Sequence, residues 1–381
     1  MWLRRQLEPQ RAAAALELLI LRNAARKKFT NADRLFFIRE ALEQATGEQI
    51  AAWRASHFPL ESCALDACCG LGADTVALAR RGPVLSVESD PIRTACARAN
   101  LIQLKLEARV YLLTADVTTM NLPSLRRSSV QAAFCDPSRR VDRGGQRRRA
   151  RTLSDYLPHI TWLNTLRDTF PFTALKLSPV DDLSSIQRPD DIVEYVGFRG
   201  ECREAVLWCG EAAGSFQSPY QPFRRNAVII DDDGSVNTLI QQPDVNLIPQ
   251  SEPRSWLYEP NPAVIRAGRV AELAVQLDAW QLDSQIAYLT SDTLRLTPFA
   301  AAYRSLHFLP FSLHAIQEWL RKNNRRVEIV KRRGVPFEPE EIRRRLSSPA
   351  LKEAPGITLI LTRVAERASA ILCERSGRDS I

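Results

Sequence analysis

The stretch Leu65–Ala79, LDACCGLGADTVALA, holds the residues best suited to chemistry. An apolar run ends at Asp66, a Gly-x-Gly loop (Gly70, Gly72) follows, and a helix-forming run starts near Ala73. Glycines at such a loop let the backbone approach a ligand closely. The helix start offers free N–H groups and partial positive charge. A dinucleotide fingerprint would need glycine at the position held by Thr75, and Asp74 is badly placed for a pyrophosphate. Asp66 and Asp74 suit a ligand that is uncharged or cationic near the loop. S-adenosylmethionine fits: it has no phosphate and carries a sulfonium and an ammonium group. Two more acids fall at later strand ends. Glu88 closes VLSVES, where a carboxylate can accept from both ribose hydroxyls. Asp116 follows YLLT, where it can accept from an adenine amino group. Read separately, these are a helix-start acid and two solvated loop acids; their order along the chain favours a donor pocket.

A second constellation is VQAAFCDPSRRVDRGG, Val130–Gly145. A strand ending on Asp136 and Pro137 beside a methyl donor is placed to hold an acceptor in line with the sulfur and to share its proton. The bland reading is a capping acid and a stiffened turn. Cys135 alternates away from Asp136 and reads as a structural thiol. Seven arginines follow between Arg139 and Arg151, with Gly144 and Gly145 among them. They predict a flexible basic loop in which Arg139 and Arg140 could grip an RNA phosphate backbone; a solvated loop is the alternative. Lys176, Ser178 and Asp181 in KLSPVDD are weaker candidates for the substrate side.

These residues need a wound sheet to position them. From Cys63 onward, short apolar runs alternate with helix-like stretches, which predicts a parallel sheet covered by helices. DIVEYVGF, REAVLWCG and RRNAVII come close together and predict antiparallel strands at the sheet edge. The first sixty residues read as helices, TNADRLFFIREALEQATG being one of them. Residues from about 241 to 262 are rich in Pro, Asn and Gln and read as irregular. The tail gives strand, helix, strand, helix and two strands, an order like a small ferredoxin-like α/β module. The expected division is a helical segment (1–59), a donor-binding domain (60–240), a linker with a helix (241–284) and an α/β domain (285–381).

Bulk properties set bounds. The apolar runs fall short of the roughly 18 residues a membrane span needs, and MWLRRQLEPQ lacks a secretion signal's apolar core, so a cytoplasmic protein is expected. Eight cysteines include no C-x-x-C pair, and the four histidines, among them His57 and His159, are far apart; no metal site is expected. The net charge of +8 comes mostly from arginine. It fits a polyanionic partner or an arginine-rich codon usage.

Taken together, the chain resembles a class I S-adenosylmethionine-dependent methyltransferase over about residues 60 to 230. Its donor loop is similar to that of the RNA cap guanine-N2 (trimethylguanosine synthase-like) methyltransferases. Their D-x-x-x-G-x-G-x-[DN]-T pattern is met by Asp66, Gly70, Gly72, Asp74 and Thr75. YEPNPAVIRAG and KRRGVPFEPEEIRRRL resemble bacterial methyltransferase-like proteins with a THUMP-like domain. The resemblance implies a Rossmann-like seven-stranded sheet, S-adenosylmethionine as donor, and RNA as partner. Enzymes of this class that methylate exocyclic nitrogens often carry Asp/Asn-Pro-Pro-aromatic at the fourth strand end. Asp136 and Pro137 match its first half; Ser138 and Arg139 depart from the rest. The expected function is methyl transfer to RNA, with a base nitrogen as one acceptor. A protein or small-molecule methyltransferase, and an RNA-binding protein that keeps the donor pocket without catalysis, stay open as alternatives.

Overall fold

The computed structural model describes residues 8–138, 140–143, 146–149, 152–216, 222–243, 245 and 248–376, the side chains of 140–143 and 146–149 excepted. The chain forms two compact units. One comprises Met1–Val196, Arg203–Arg225 and Ile230–Val236, the other Gly197–Cys202, Asn226–Ile229 and Asn237–Ile381. No helix among the described residues is long and apolar enough to cross a membrane.

The first unit opens with helices α1 (Pro9–Ala25), α2 (Arg39–Gln44) and α3 (Glu48–Ser56). The single helix expected from Thr30 to Gly47 is broken: Ala32–Arg34 is one 3-10 turn and residues 35–38 are not helical. Leu35 and Phe37, two apart, are both buried in one cluster with Leu21, Ala25, Leu42 and Leu71. Residues i and i+2 share a face only when the backbone is extended.

The sheet then builds as the apolar pattern predicts. Strand β1 (Cys63–Asp66) leads through α4 (Ala73–Ala79) to β2 (Val84–Glu88). Helix α5 (Pro91–Gln103) leads on to β3 (Val110–Thr114), and α6 (Leu122–Arg127) to β4 (Val130–Cys135). Helix α5 starts sharply because Asp90 caps it, accepting from Ile92 N at 2.8 Å, and Pro91 supplies a preset φ. A ribbon of β5 (Arg140–Arg143) and β6 (Gln146–Arg149) follows, then α7 (Ile160–Thr169) and β7 (Phe172–Leu177). Strands β8 (Ile192–Phe198), β9 (Glu201–Gly210), β10 (Arg224–Ile230) and β11 (Val236–Leu239) complete the sheet. Its order is β11-β10-β8-β9-β7-β4-β1-β2-β3. The pairs from β3 to β7 are parallel and β7 pairs antiparallel with β9. The expected seven strands are present, and β10 and β11 extend them. The flexible loop expected after Arg139 is instead a paired ribbon in register Arg140↔Arg149. Two short runs separated by two glycines are a hairpin signature that the charge of the segment obscures.

In the second unit β12 (Trp256–Pro260), α8 (Pro262–Ala267), α9 (Val270–Leu277), β13 (Trp280–Asp283) and β14 (Ile286–Ser291) precede β15 (Ala300–Pro310). The chain continues through α10 (Leu313–Lys322), β16 (Arg326–Arg332), α11 (Pro339–Leu346), β17 (Gly356–Val364) and β18 (Arg367–Ser376). The sheet order is β13-β14-β12-β15-β18-β17-β16. Alternation along β17 sorts its side chains. Leu359 and Leu361 join Ile316, Leu320 and Ile342 of the helices, and Ile360 joins Tyr288 and Tyr303. The segment read as irregular thus contains β12, which pairs with β14 on one side and β15 on the other. Only five residues long and followed by Asn261 and Pro262, it is hidden by its flanks.

Candidate active site

Strand β1 lies between β2 and β4, so the connections leaving β1 and β4 diverge to opposite sides of the sheet. Crevices form at the carboxyl ends of strands at such a switch point. A cleft of about 630 Å³ opens there, a size suited to a small-molecule ligand. Gly70, Asp74, Glu88, Asp116, Asp136 and Pro137 all line it. Asp66, Gly72 and Thr75 are buried and do not line it. Arg139 lies outside the described residues; Arg140 begins β5, but its side chain lies outside them.

Gly70 (φ +56°) and Gly72 (φ +83°) are both left-handed, which explains the glycines. Gly72 is also packed closely: a Cβ there would lie 3.4 Å from that of Ala97 on α5. Glu88 ties this loop to the next, its Oε2 accepting from Gly70 N at 2.8 Å and its Oε1 from Asp90 N at 3.0 Å. Asp116 accepts from Thr118 N at 2.9 Å and Thr118 Oγ1 at 2.7 Å. Asp66 is fully buried. Its Oδ2 accepts from Thr75 Oγ1 at 2.5 Å, and its buried Oδ1 has no hydrogen-bond partner among the described residues. Burial, then the nearby charge of Asp74, pushes the Asp66 carboxyl up to about 7 against the hydrogen bond from Thr75.

The opposite wall carries a linked set of charges. Lys176 Nζ donates to Asp136 Oδ2 at 2.5 Å and to Thr46 Oγ1 at 3.0 Å. Thr46 Oγ1 donates in turn to Asp74 Oδ2 at 2.9 Å. The other oxygen of Asp74 pairs with Arg54, whose second nitrogen pairs with Glu204. The Arg54 side chain is 2% exposed and sits over Phe134, 4.7 Å from the ring centre. Burial alone would lower Lys176, but Asp136, Glu204 and Asp74 outweigh it and hold the ammonium above the ordinary lysine value. Ser138 exchanges backbone hydrogen bonds with Leu157 at 2.7 and 3.1 Å, which pins the chain just after Asp136 and Pro137.

Of the weaker candidates, Lys176 lines the cleft, whereas Ser178 and Asp181 bind the hydroxyl of Tyr156. His159 also lines the cleft; His57 is packed among Trp53, Trp208 and Phe216. Sequence reasoning missed Thr46, Arg54 and Glu204. One signal existed for Arg54: it falls four residues after Ile50, on the buried stripe of α3. In the second unit, six basic residues are ion-paired. They are Arg325 with Glu374, Arg326 with Glu328, Lys331 with Glu259, Arg332 with Glu338, Arg343 with Glu340, and Arg345 with Glu341.

The cleft fits the cofactor the sequence implies. Gly70 opens the loop onto it, and Glu88 at the end of the second strand and Asp116 after the third line it as hydrogen-bond acceptors. Comparison with known proteins agrees. Residues 61–141 match the family described as RNA cap guanine-N2 methyltransferase, and residues 300–375 match the one described as THUMP domain-like. An uncharacterized S-adenosylmethionine-dependent methyltransferase of Mycobacterium tuberculosis, known from strains CDC 1551 and H37Rv, is 32% identical over 366 residues, 93% of each chain. The crystal structure of a Porphyromonas gingivalis W83 protein assigned as a methyltransferase superposes with a TM-score of 0.80. It covers 98% of this chain and 92% of its own at 21% identity, a likeness of fold. With donor-loop geometry, fold and a full-length relative in agreement, the chain belongs to the S-adenosylmethionine-dependent methyltransferases.

Proposed function

We propose that the chain transfers a methyl group from S-adenosylmethionine to RNA, with a base nitrogen as acceptor. The observation that carries this reading is the convergence of Gly70, Glu88, Asp116 and Asp136 on one cleft. The cofactor supplies an electrophilic methyl group on a sulfonium. Glu88 accepts from the ribose hydroxyls and Asp116 from the adenine amino group. Asp66, buried behind the cleft lining, holds Thr75 and so shapes the loop from behind. Asp74, committed to Arg54 and Thr46, anchors the loop rather than the ligand. Asp136 accepts a hydrogen bond from the acceptor nitrogen and so aims its lone pair. Lys176 stays cationic and is therefore no proton acceptor. Support for RNA comes from the THUMP domain-like match and from the arginine-rich ribbon that follows Asp136.

Mass spectrometry of RNA nucleosides from cells with and without the gene tests the reading. One modified nucleoside should disappear and return with the wild-type gene. Asp136→Asn should not restore it, although the variant still binds S-adenosylmethionine by calorimetry. An unchanged nucleoside profile, with label from tritiated donor appearing in protein, would refute it.

A further inference from the structure

We infer that Thr46, from the segment preceding the sheet, is a positioning residue that couples the donor loop to the acceptor side of the cleft. The inference rests on the methyl-transfer site described above and deepens it. Thr46 is 5% exposed and follows α2, in a loop that lines the cleft. Its hydroxyl accepts from Lys176 at 3.0 Å and gives its single proton to Asp74 at 2.9 Å. The sense of both bonds is fixed, because an ammonium has no lone pair and a carboxylate has no proton to give. The result is one continuous chain, Asp136–Lys176–Thr46–Asp74, with Lys176 donating both ways and Thr46 passing the second branch on to Asp74. It runs from the acid at the end of β4 to the helix that follows the glycine loop.

The loop carrying Thr46 is itself held. Lys28 Nζ donates to the carbonyls of Leu42, Glu43 and Ala45 at 2.8, 3.0 and 2.8 Å. Those are the free carbonyls at the end of α2, so the lysine caps the helix one residue before Thr46. The backbone position of the hydroxyl is therefore set by the leading helices and not by the sheet. Among the described residues, Asp136 and Thr46 take two of the three N–H groups of Lys176. An ammonium held at two points presents its third N–H in a fixed direction. Without Thr46, Lys176 and Asp136 would turn together as a pair.

Thr46→Val keeps the shape and removes both bonds; Thr46→Ser keeps the hydroxyl. The full-length wild type and both variants are compared in three measurements. These are calorimetric binding of S-adenosylmethionine, transfer of tritiated methyl groups into total RNA from cells lacking the gene, and the 1H–15N spectrum of lysine ammonium groups. The Lys176 signal is identified by its loss in Lys176→Arg. Thr46→Val should slow transfer at saturating donor and RNA on the order of tenfold to a hundredfold, the scale of a small misplacement of reacting groups. Donor affinity should stay within about threefold, and Thr46→Ser should recover the rate to within about threefold. The Lys176 signal should move or broaden in Thr46→Val and stay in place in Thr46→Ser. A wild-type rate with an unmoved Lys176 signal in Thr46→Val overturns the inference, as does the lack of any Lys176 signal in the wild type. If the wild type labels no RNA, the RNA reading fails, and the ammonium signal alone decides the role of Thr46.

Discussion

Replacing Asp66 with asparagine should make the protein more stable at neutral pH. The carboxyl is fully buried, and its folded-state pKa is about 7 against an ordinary 3.8. A raised acid favours the folded state while it is neutral. That contribution is complete below pH 3.8 and is lost as pH rises through about 7. Across the whole interval the loss amounts to about 4 kcal/mol, and between about pH 5.5 and 7 to about 2 kcal/mol. Asparagine does not titrate and still offers Thr75 an acceptor. Urea midpoints of wild type and Asp66→Asn should therefore diverge by about 2 kcal/mol over that window, the variant gaining, and run parallel above it. Groups remote from Asp66 cancel in the difference. Parallel stability curves from pH 5.5 upward would refute the reasoning about Asp66.

Three other outcomes can be checked with purified protein. Arg54→Ala removes the buried guanidinium that pairs with Asp74 and Glu204 and should cost about 3–5 kcal/mol in urea unfolding. Glu88→Ala removes both the proposed ribose acceptor and the tie to Gly70, and should weaken S-adenosylmethionine binding by calorimetry on the order of thirtyfold or more with unchanged circular dichroism. Burial, with Lys176 and Arg203 nearby, lowers Lys28 to about 8. A lowered base gains stability as pH climbs from about 8 toward 10.5, so wild type should gain on Lys28→Met over that range in thermal melts.

The backbone of the donor loop was legible in the sequence, because its constraints are local, although Asp66, Gly72 and Thr75 are buried off the cleft. Glycines at 70 and 72 announce left-handed backbone, and Asp90-Pro91 announces a helix start. Strand ends on Asp66, Glu88 and Cys135 follow from apolar runs that stop at an acid or just before one. On the acceptor side Asp136, Pro137 and Lys176 were legible, but the residues that hold them were not, because they are remote. Thr46 and Lys176 are 130 residues apart, and Arg54 and Glu204 are 150 apart. Nothing in QATGEQ or ECREAV marks either residue, since a buried polar side chain has the same letter as an exposed one. The break after Arg34 and strand β12 were obscured for a related reason. Helix propensity outvoted the i, i+2 burial of Leu35 and Phe37, and prolines beside Trp256–Tyr258 outvoted three residues of strand.

The double salt bridge of Arg54 bears on how this enzyme can be cut or recombined. A fragment beginning at residue 60 would retain every glycine and every strand of the donor pocket. It would also inherit Asp74 and Glu204 with their counter-ion amputated. Such a piece should be soluble only at acidic pH or not at all. Grafting the leading helices of a relative onto this sheet should succeed only where the graft brings its own arginine to that spot.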